Sequence, residues 1–144
     1  MKLPTPDLGL VIPYAYLWHH EHRAGRDKAT QNRPCVIVLS IKPAAGGASL
    51  VRVATVTHSP PDDLATSFEP PPAVKKHLGL HCERSWVVLD EVNEFTWPGP
   101  DLRPVSWSKD SVAYGLLPPR LFDALVAKLA RVWAVVQGKT APRD

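Results

Sequence analysis

The chain has 144 residues, 44% of them hydrophobic and 22% charged, with a formal net charge of +3. That is room for one domain with one real core, in the composition of an ordinary globular protein, and the mild positive charge is compatible with an anionic partner without requiring one. No apolar run is long enough to span a bilayer, residues 1–6 lack the apolar centre of a signal peptide, and Cys35 and Cys82 alone make neither a disulfide framework nor a zinc site, so the expectation is a cytoplasmic protein with no membrane contact.

The first ordered segment covers residues 9–18. Leu10, Val11, Ile12, Tyr14, Tyr16, Leu17 and Trp18 are strand-prone, while Pro13 cannot donate to a ladder, which predicts a bent edge strand. Residues 19–32 are polar and read as a long exposed loop with room for a helical turn. The stretch Arg33-Pro34-Cys35-Val36-Ile37-Val38-Leu39-Ser40 follows. Its proline suits a strand start, and the apolar run after it is short and β-branched, so residues 34–41 read as a buried strand with Cys35 as a small core hydrophobe. A Gly- and Ala-rich turn leads to a third strand at Leu50–Thr57, completing a hairpin.

Residues 58–72 carry five prolines and are predicted irregular. Pro72–Leu78 fits a short helix stopped by Gly79. Residues 86–89 form a strand, and residues 90–97 continue the sheet beyond a bend until Pro98-Gly99-Pro100 ends it. Leu121, Phe122, Leu125, Val126, Leu129, Val132, Trp133 and Val136 fall on one face at helical spacing, with Pro118 and Pro119 in the first turn and Gly138 at the stop. Residues 1–8 and 139–144 read as flexible. The fold class is mainly β with α (α+β): a strongly bent antiparallel sheet, mostly or partly closed, with one long helix near the C-terminus. Residues 1–144 make a single domain without repeats.

Three polar residues stand at strand ends: Arg33 before one, Thr57 at the end of the next, and Asp90 after residues 86–89. A cation, a hydroxyl and a carboxylate suit phosphodiester chemistry, where charge develops on non-bridging oxygens and a proton must move. From spacing alone the alternative is an ordinary Arg33–Asp90 ion pair with Thr57 capping a turn. His58, beside Thr57, is a second candidate base, or else an exposed turn histidine.

Gly9-Leu10-Val11-Ile12, then residues 33–40, then Val53-Ala54-Thr55-Val56-Thr57, then Leu89-Asp90-Glu91-Val92 resemble, in order, the strand motifs of the MazF/PemK toxins. The helix of residues 118–136 is similar to the one that closes that fold. The resemblance implies an SH3-like barrel that forms a homodimer. It implies an endoribonuclease of a type II toxin–antitoxin system that cuts single-stranded RNA (mRNA) at short sequences, with no metal or cofactor, and is held by an antitoxin protein. By position, Arg33 falls on the family's catalytic arginine, Thr57 on its threonine near the scissile phosphate, and Asp90 on the acidic residue that some members use as base. The chain departs from the pattern at Leu10, at Pro13 and at Val88, where members that use the aspartate often place an arginine as general acid. Residues 60–83 look like an elaboration over the binding face.

His19, His20, Glu21 and His22 are adjacent on a loop rather than spaced along one face of a helix, which argues against a metal site. With Arg23, Arg26 and Lys28 they form a basic loop able to follow a nucleic-acid backbone. Trp18 beside them is either a base-stacking group or core. Trp86, Trp97 and Trp133 read as core, and Trp107 as the exposed aromatic. A second functional reading is a non-catalytic barrel of CcdB type, which binds gyrase through its C-terminal helix. A third is a barrel that binds only RNA or a protein partner.

Overall fold

The computed structural model describes residues 4–20, 32–43, 46–80, 84–99, 102–103, 105 and 113–143. Among them are eight strands: β1 (Leu10–Ala15), β2 (Asn32–Ile41), β3 (Leu50–Thr57), β4 (Ser67–Phe68), β5 (Trp86–Val88), β6 (Glu91–Thr96), β7 (Gly115–Leu116) and β8 (Lys139–Pro142). Two helices accompany them, α1 (Pro72–Leu78) and α2 (Pro119–Val135), with a 3-10 turn at Leu64–Thr66. The chain is therefore mainly β with α. The strands run β4-β5-β3-β2-β1-β7, with β6 joined to β3 and to β8, and the hydrogen-bonded order does not close into a ring. Among the described residues no helix is long and apolar enough to cross a membrane.

The β2–β3 hairpin is the centre of the sheet, and both of its faces are covered. Val11, Val36, Ala54 and Val56 point to one core with Leu89, Leu125 and Val132. Ile12, Tyr14, Cys35, Ile37, Val51 and Val53 point to a second core with Phe95. Successive residues of one strand thus serve opposite cores, which explains why β3 alternates apolar and polar only weakly. Cys35 is wholly buried as expected, and burial pushes its thiol up to about 12. Cys82 lies outside the described residues.

Pro13 does not leave β1 at an edge. It faces Pro34 across the β1–β2 ladder, and its carbonyl accepts from Arg103 N–H (3.0 Å) on the other side. An antiparallel strand aims the N–H and C=O of one residue to the same side, so this pair sits where the β1–β2 ladder needs no donor. Two prolines can face each other there at no cost in hydrogen bonds. The start of β1 is covered in turn by β7.

The predicted short helix is present, with Gly79 in the left-handed region (φ 72°) donating to the carbonyls of Lys75 and Lys76. Within residues 58–72 the 3-10 turn, capped by Asp63, leads into β4, a two-residue strand that sequence did not suggest. Residues 139–142 are not a frayed tail. They form β8, parallel to β6 with Lys139 opposite Glu91. A parallel neighbour has no hairpin signature, and these polar residues become a strand only because β6 offers an edge.

β5 and β6 lie along the same edge of β3, separated by a bulge. Between Val53 and Val56 β3 advances three residues, while its neighbour advances six, from Asn93 back to Val87. Leu89 and Asp90, the residues between β5 and β6, fall within this three-residue excess. The bulge is tied on three sides: Leu89 N–H donates to Thr66 O (3.0 Å), Lys139 N–H donates to Asp90 O (3.0 Å), and Trp133 Nε1 donates to Leu89 O (2.6 Å). Trp133 comes from the apolar face of α2, whose Leu121, Phe122, Leu125, Val126, Leu129 and Val132 also pack on the first core.

Gly138 is not a left-handed helix stop but lies flat against Trp133, where a Cβ would overlap the indole. Gly138→Ala is therefore expected to cost about 1–3 kcal/mol of unfolding free energy in urea titration. Trp133→Phe, which keeps an aromatic ring but orphans the Leu89 carbonyl, is expected to cost a similar ~1–3 kcal/mol. Wild-type midpoints in both variants would contradict the pinning of the bulge.

Candidate active site

Three elements bring Arg33, Thr57 and Asp90 to one open cleft of about 580 Å³. Arg33 stands near the start of β2 opposite Tyr14 of β1, with its chain direction fixed by Pro34. Its guanidinium lies 5.2 Å from the centre of the Trp18 ring. Among the described residues no carboxylate forms an ion pair with it, so the Arg33–Asp90 surface pair allowed by spacing does not form. Thr57 ends β3 and is 8% exposed. Its Oγ1 accepts from Ser59 N–H (3.1 Å), which fixes the hydroxyl and leaves its proton to donate. Asp90 enters from the bulge, its backbone held by β8.

The cleft is also lined by Trp18, His20, Trp86 and Glu91, and by Asp62 and Asp63 on the loop before the 3-10 turn. Trp86 carries the Arg84 guanidinium at 5.1 Å, and Arg84 in turn bonds both oxygens of Glu69. Each tryptophan of the cleft thus has an arginine over its ring.

Glu91 and Asn93 order the edge of this cleft, and sequence reasoning passed over both. The wholly buried Asn93 amide accepts from Leu17 N–H (2.8 Å) and donates to Leu17 O (2.7 Å). Glu91 accepts from His19 N–H (2.7 Å). Two side chains of β6 therefore hold the backbone on either side of Trp18. Burial raises the Glu91 carboxyl above its usual range, with the charge of Asp90 adding to it, while the His19 amide, His20 and Lys139 oppose the shift. Burial likewise raises the Tyr16 phenol well above its usual value, with Glu91 next among the causes.

His58 does not join this group. It is exposed, with Nδ1 3.1 Å from the Arg84 carbonyl, and does not line the cleft. Adjacent residues of extended chain point to opposite sides, so nearness to Thr57 in sequence does not carry over into space. His19 contributes its backbone, whereas His20 is a lining residue. Glu21, His22, Arg23, Arg26 and Lys28 lie outside the described residues, as does Trp107. Among the described residues no group of three or more His, Cys, Asp or Glu side chains is arranged to hold a metal ion. Trp97 packs against the second core as expected.

Comparison with protein-family models, curated proteins and solved structures finds no match to this chain. The reading of the cleft therefore rests on its own geometry and on the strand motifs.

The raised Glu91 carboxyl has a consequence for stability. The folded state holds that proton more tightly than the unfolded chain, so its contribution is full below the unfolded value, near 4.5, and is lost as pH rises through the folded value. Glu91→Gln retains an acceptor for His19 N–H without the charge. Thermal melts are expected to show the variant gaining on wild type as pH rises from 4 to 7. A gap that stays constant over that range would contradict the shift.

Proposed function

We propose that this chain is a metal-independent, sequence-specific endoribonuclease that cuts single-stranded RNA by attack of the 2′-hydroxyl, in the manner of the MazF/PemK toxins its strands resemble. The observation that carries the reading is the shared cleft: Arg33, Thr57 and Asp90 come from three separate parts of the sheet and line one open surface. The order of the strands along the chain and the helix α2 are compatible with the bent, SH3-like barrel of those toxins.

RNA supplies the nucleophile. Asp90 takes the proton from the 2′-hydroxyl as it attacks the adjacent phosphorus. Arg33 offers its planar fork to the non-bridging oxygens as negative charge builds on them, and Thr57 donates to one of the same oxygens. The leaving 5′-oxygen needs a proton. Val88 stands where related toxins place an arginine, and Glu91, whose burial favours its protonated form, is the acid present in the cleft. The remainder of the reading is biological: a toxin component that works as a homodimer and is restrained by an antitoxin protein.

One observation favours a second reading, a non-catalytic barrel that binds gyrase in the manner of CcdB-type toxins. Val135 at the end of α2 is 86% exposed and borders a groove of about 350 Å³ with Lys128, Arg131 and Val132.

The test is cleavage of single-stranded RNA in excess EDTA. Wild type is expected to cut, and Arg33→Ala to lose about 10²–10³ in kcat at unchanged stability. Asp90→Asn is expected to lose about 10²–10⁴. Diverse RNAs left whole by the wild-type protein would overturn the enzyme reading, and gyrase captured by that inactive protein would favour the second.

A further inference from the structure

We propose that Trp18 and His20 form a stacking platform for one unpaired nucleobase, beside the phosphate held by Arg33. The inference deepens the nucleic-acid reading of the cleft and rests on it. The two rings are nearly parallel, 17° between their planes, with centroids 6.4 Å apart. Both residues line the cleft. Every base has a π-face, so a pair of near-parallel rings at the edge of a phosphate site suits an unstacked nucleotide of any sequence.

The construction around Trp18 is what points to a ligand. Tyr16 meets its ring edge-on at 5.4 Å, and the Arg33 guanidinium lies over it at 5.2 Å. The backbone before it is bound on both its N–H and its C=O by Asn93, which is wholly buried, and the backbone after it is bound by Glu91. Leu17 is itself buried, so its backbone N–H and C=O need internal partners. Here a buried amide and a partly buried carboxylate fix residues 17 and 19. The ring of residue 18 is thereby pre-oriented over the cleft, and pre-orientation lowers the ordering cost of binding. Arg33 then serves both groups, with its fork for a phosphate and its flat face on Trp18. A nucleotide whose phosphate sits at Arg33 has its base within reach of the platform. Asn93 and Glu91 are positioning residues in this arrangement.

The test uses the full chain and short oligonucleotides 2′-O-methylated throughout, which bind without being cut. Affinity is read by anisotropy, with a panel in which one base at a time is removed. Wild type is expected to bind, and one abasic position to weaken it by about tenfold. Trp18→Ala is expected to lose about tenfold on the intact oligonucleotide and nothing further on that abasic one, while Trp18→Phe retains most of the affinity. An abasic scan without effect on wild type would overturn the platform without any mutation. So would Trp18→Ala binding as wild type does, or no binding by wild type. Binding with this Trp18 dependence in a protein that never cuts RNA would leave the platform standing and remove the nuclease reading. Cleavage by Trp18→Ala at wild-type KM would do the reverse.

Discussion

One hydrogen bond joins the last third of the chain to the cleft: Trp133 Nε1 donates to the Leu89 carbonyl at 2.6 Å. Leu89 and Asp90 are surplus residues in the pairing of β5 and β6 with β3, and surplus residues of a sheet are free to take several conformations unless something outside the ladder holds them. The helix holds the Leu89 carbonyl and β8 the Asp90 carbonyl, while Thr66 O accepts from Leu89 N–H ahead of both. Gly138, flat beneath the indole, lets the chain pass from helix to strand close enough for both bonds to form. The carboxylate that the proposed chemistry needs as a base is thus placed by the tightness of the helix against the sheet.

Charge in the cleft is unevenly distributed. Arg33 is its arginine among the described residues, beside Asp62, Asp63, Asp90 and Glu91. In the proposed reading Arg33 supplies a charge-assisted contact to a phosphodiester, and the rings beside it supply stacking. The carboxylates also act on one another: burial raises the Glu91 carboxyl, and the charge of Asp90 adds to that rise. Two adjacent acids in different environments can in this way divide the roles of base and acid.

Much of the scaffold was legible because its signals are local. The β2–β3 hairpin, α1 with its Gly79 stop, and the apolar stripe of α2 follow from short-range pattern and turn chemistry. What escaped depends on partners distant in sequence. β8 exists because β6 has a free edge, β4 and β7 are only two residues long, and the Pro13–Pro34 pairing requires knowledge of register. Within the site, Asn93 reads as a polar face of a strand and is instead wholly buried against a backbone 76 residues away. His58 illustrates the opposite error, since adjacency to Thr57 in sequence set it on the wrong side of the chain. Arg33, Thr57 and Asp90 were visible as strand ends, but that three such ends meet is a property of how the sheet bends.

The central claim is that the cleft directs a 2′-hydroxyl onto its neighbouring phosphorus, and the chemical ends of the products test it most directly. Mass spectrometry of RNA cut by the purified protein is predicted to find a 2′,3′-cyclic phosphate on the upstream fragment and a free 5′-hydroxyl on the downstream one. A 3′-hydroxyl paired with a 5′-phosphate would mean that water, rather than the ribose, had attacked, and would contradict the account.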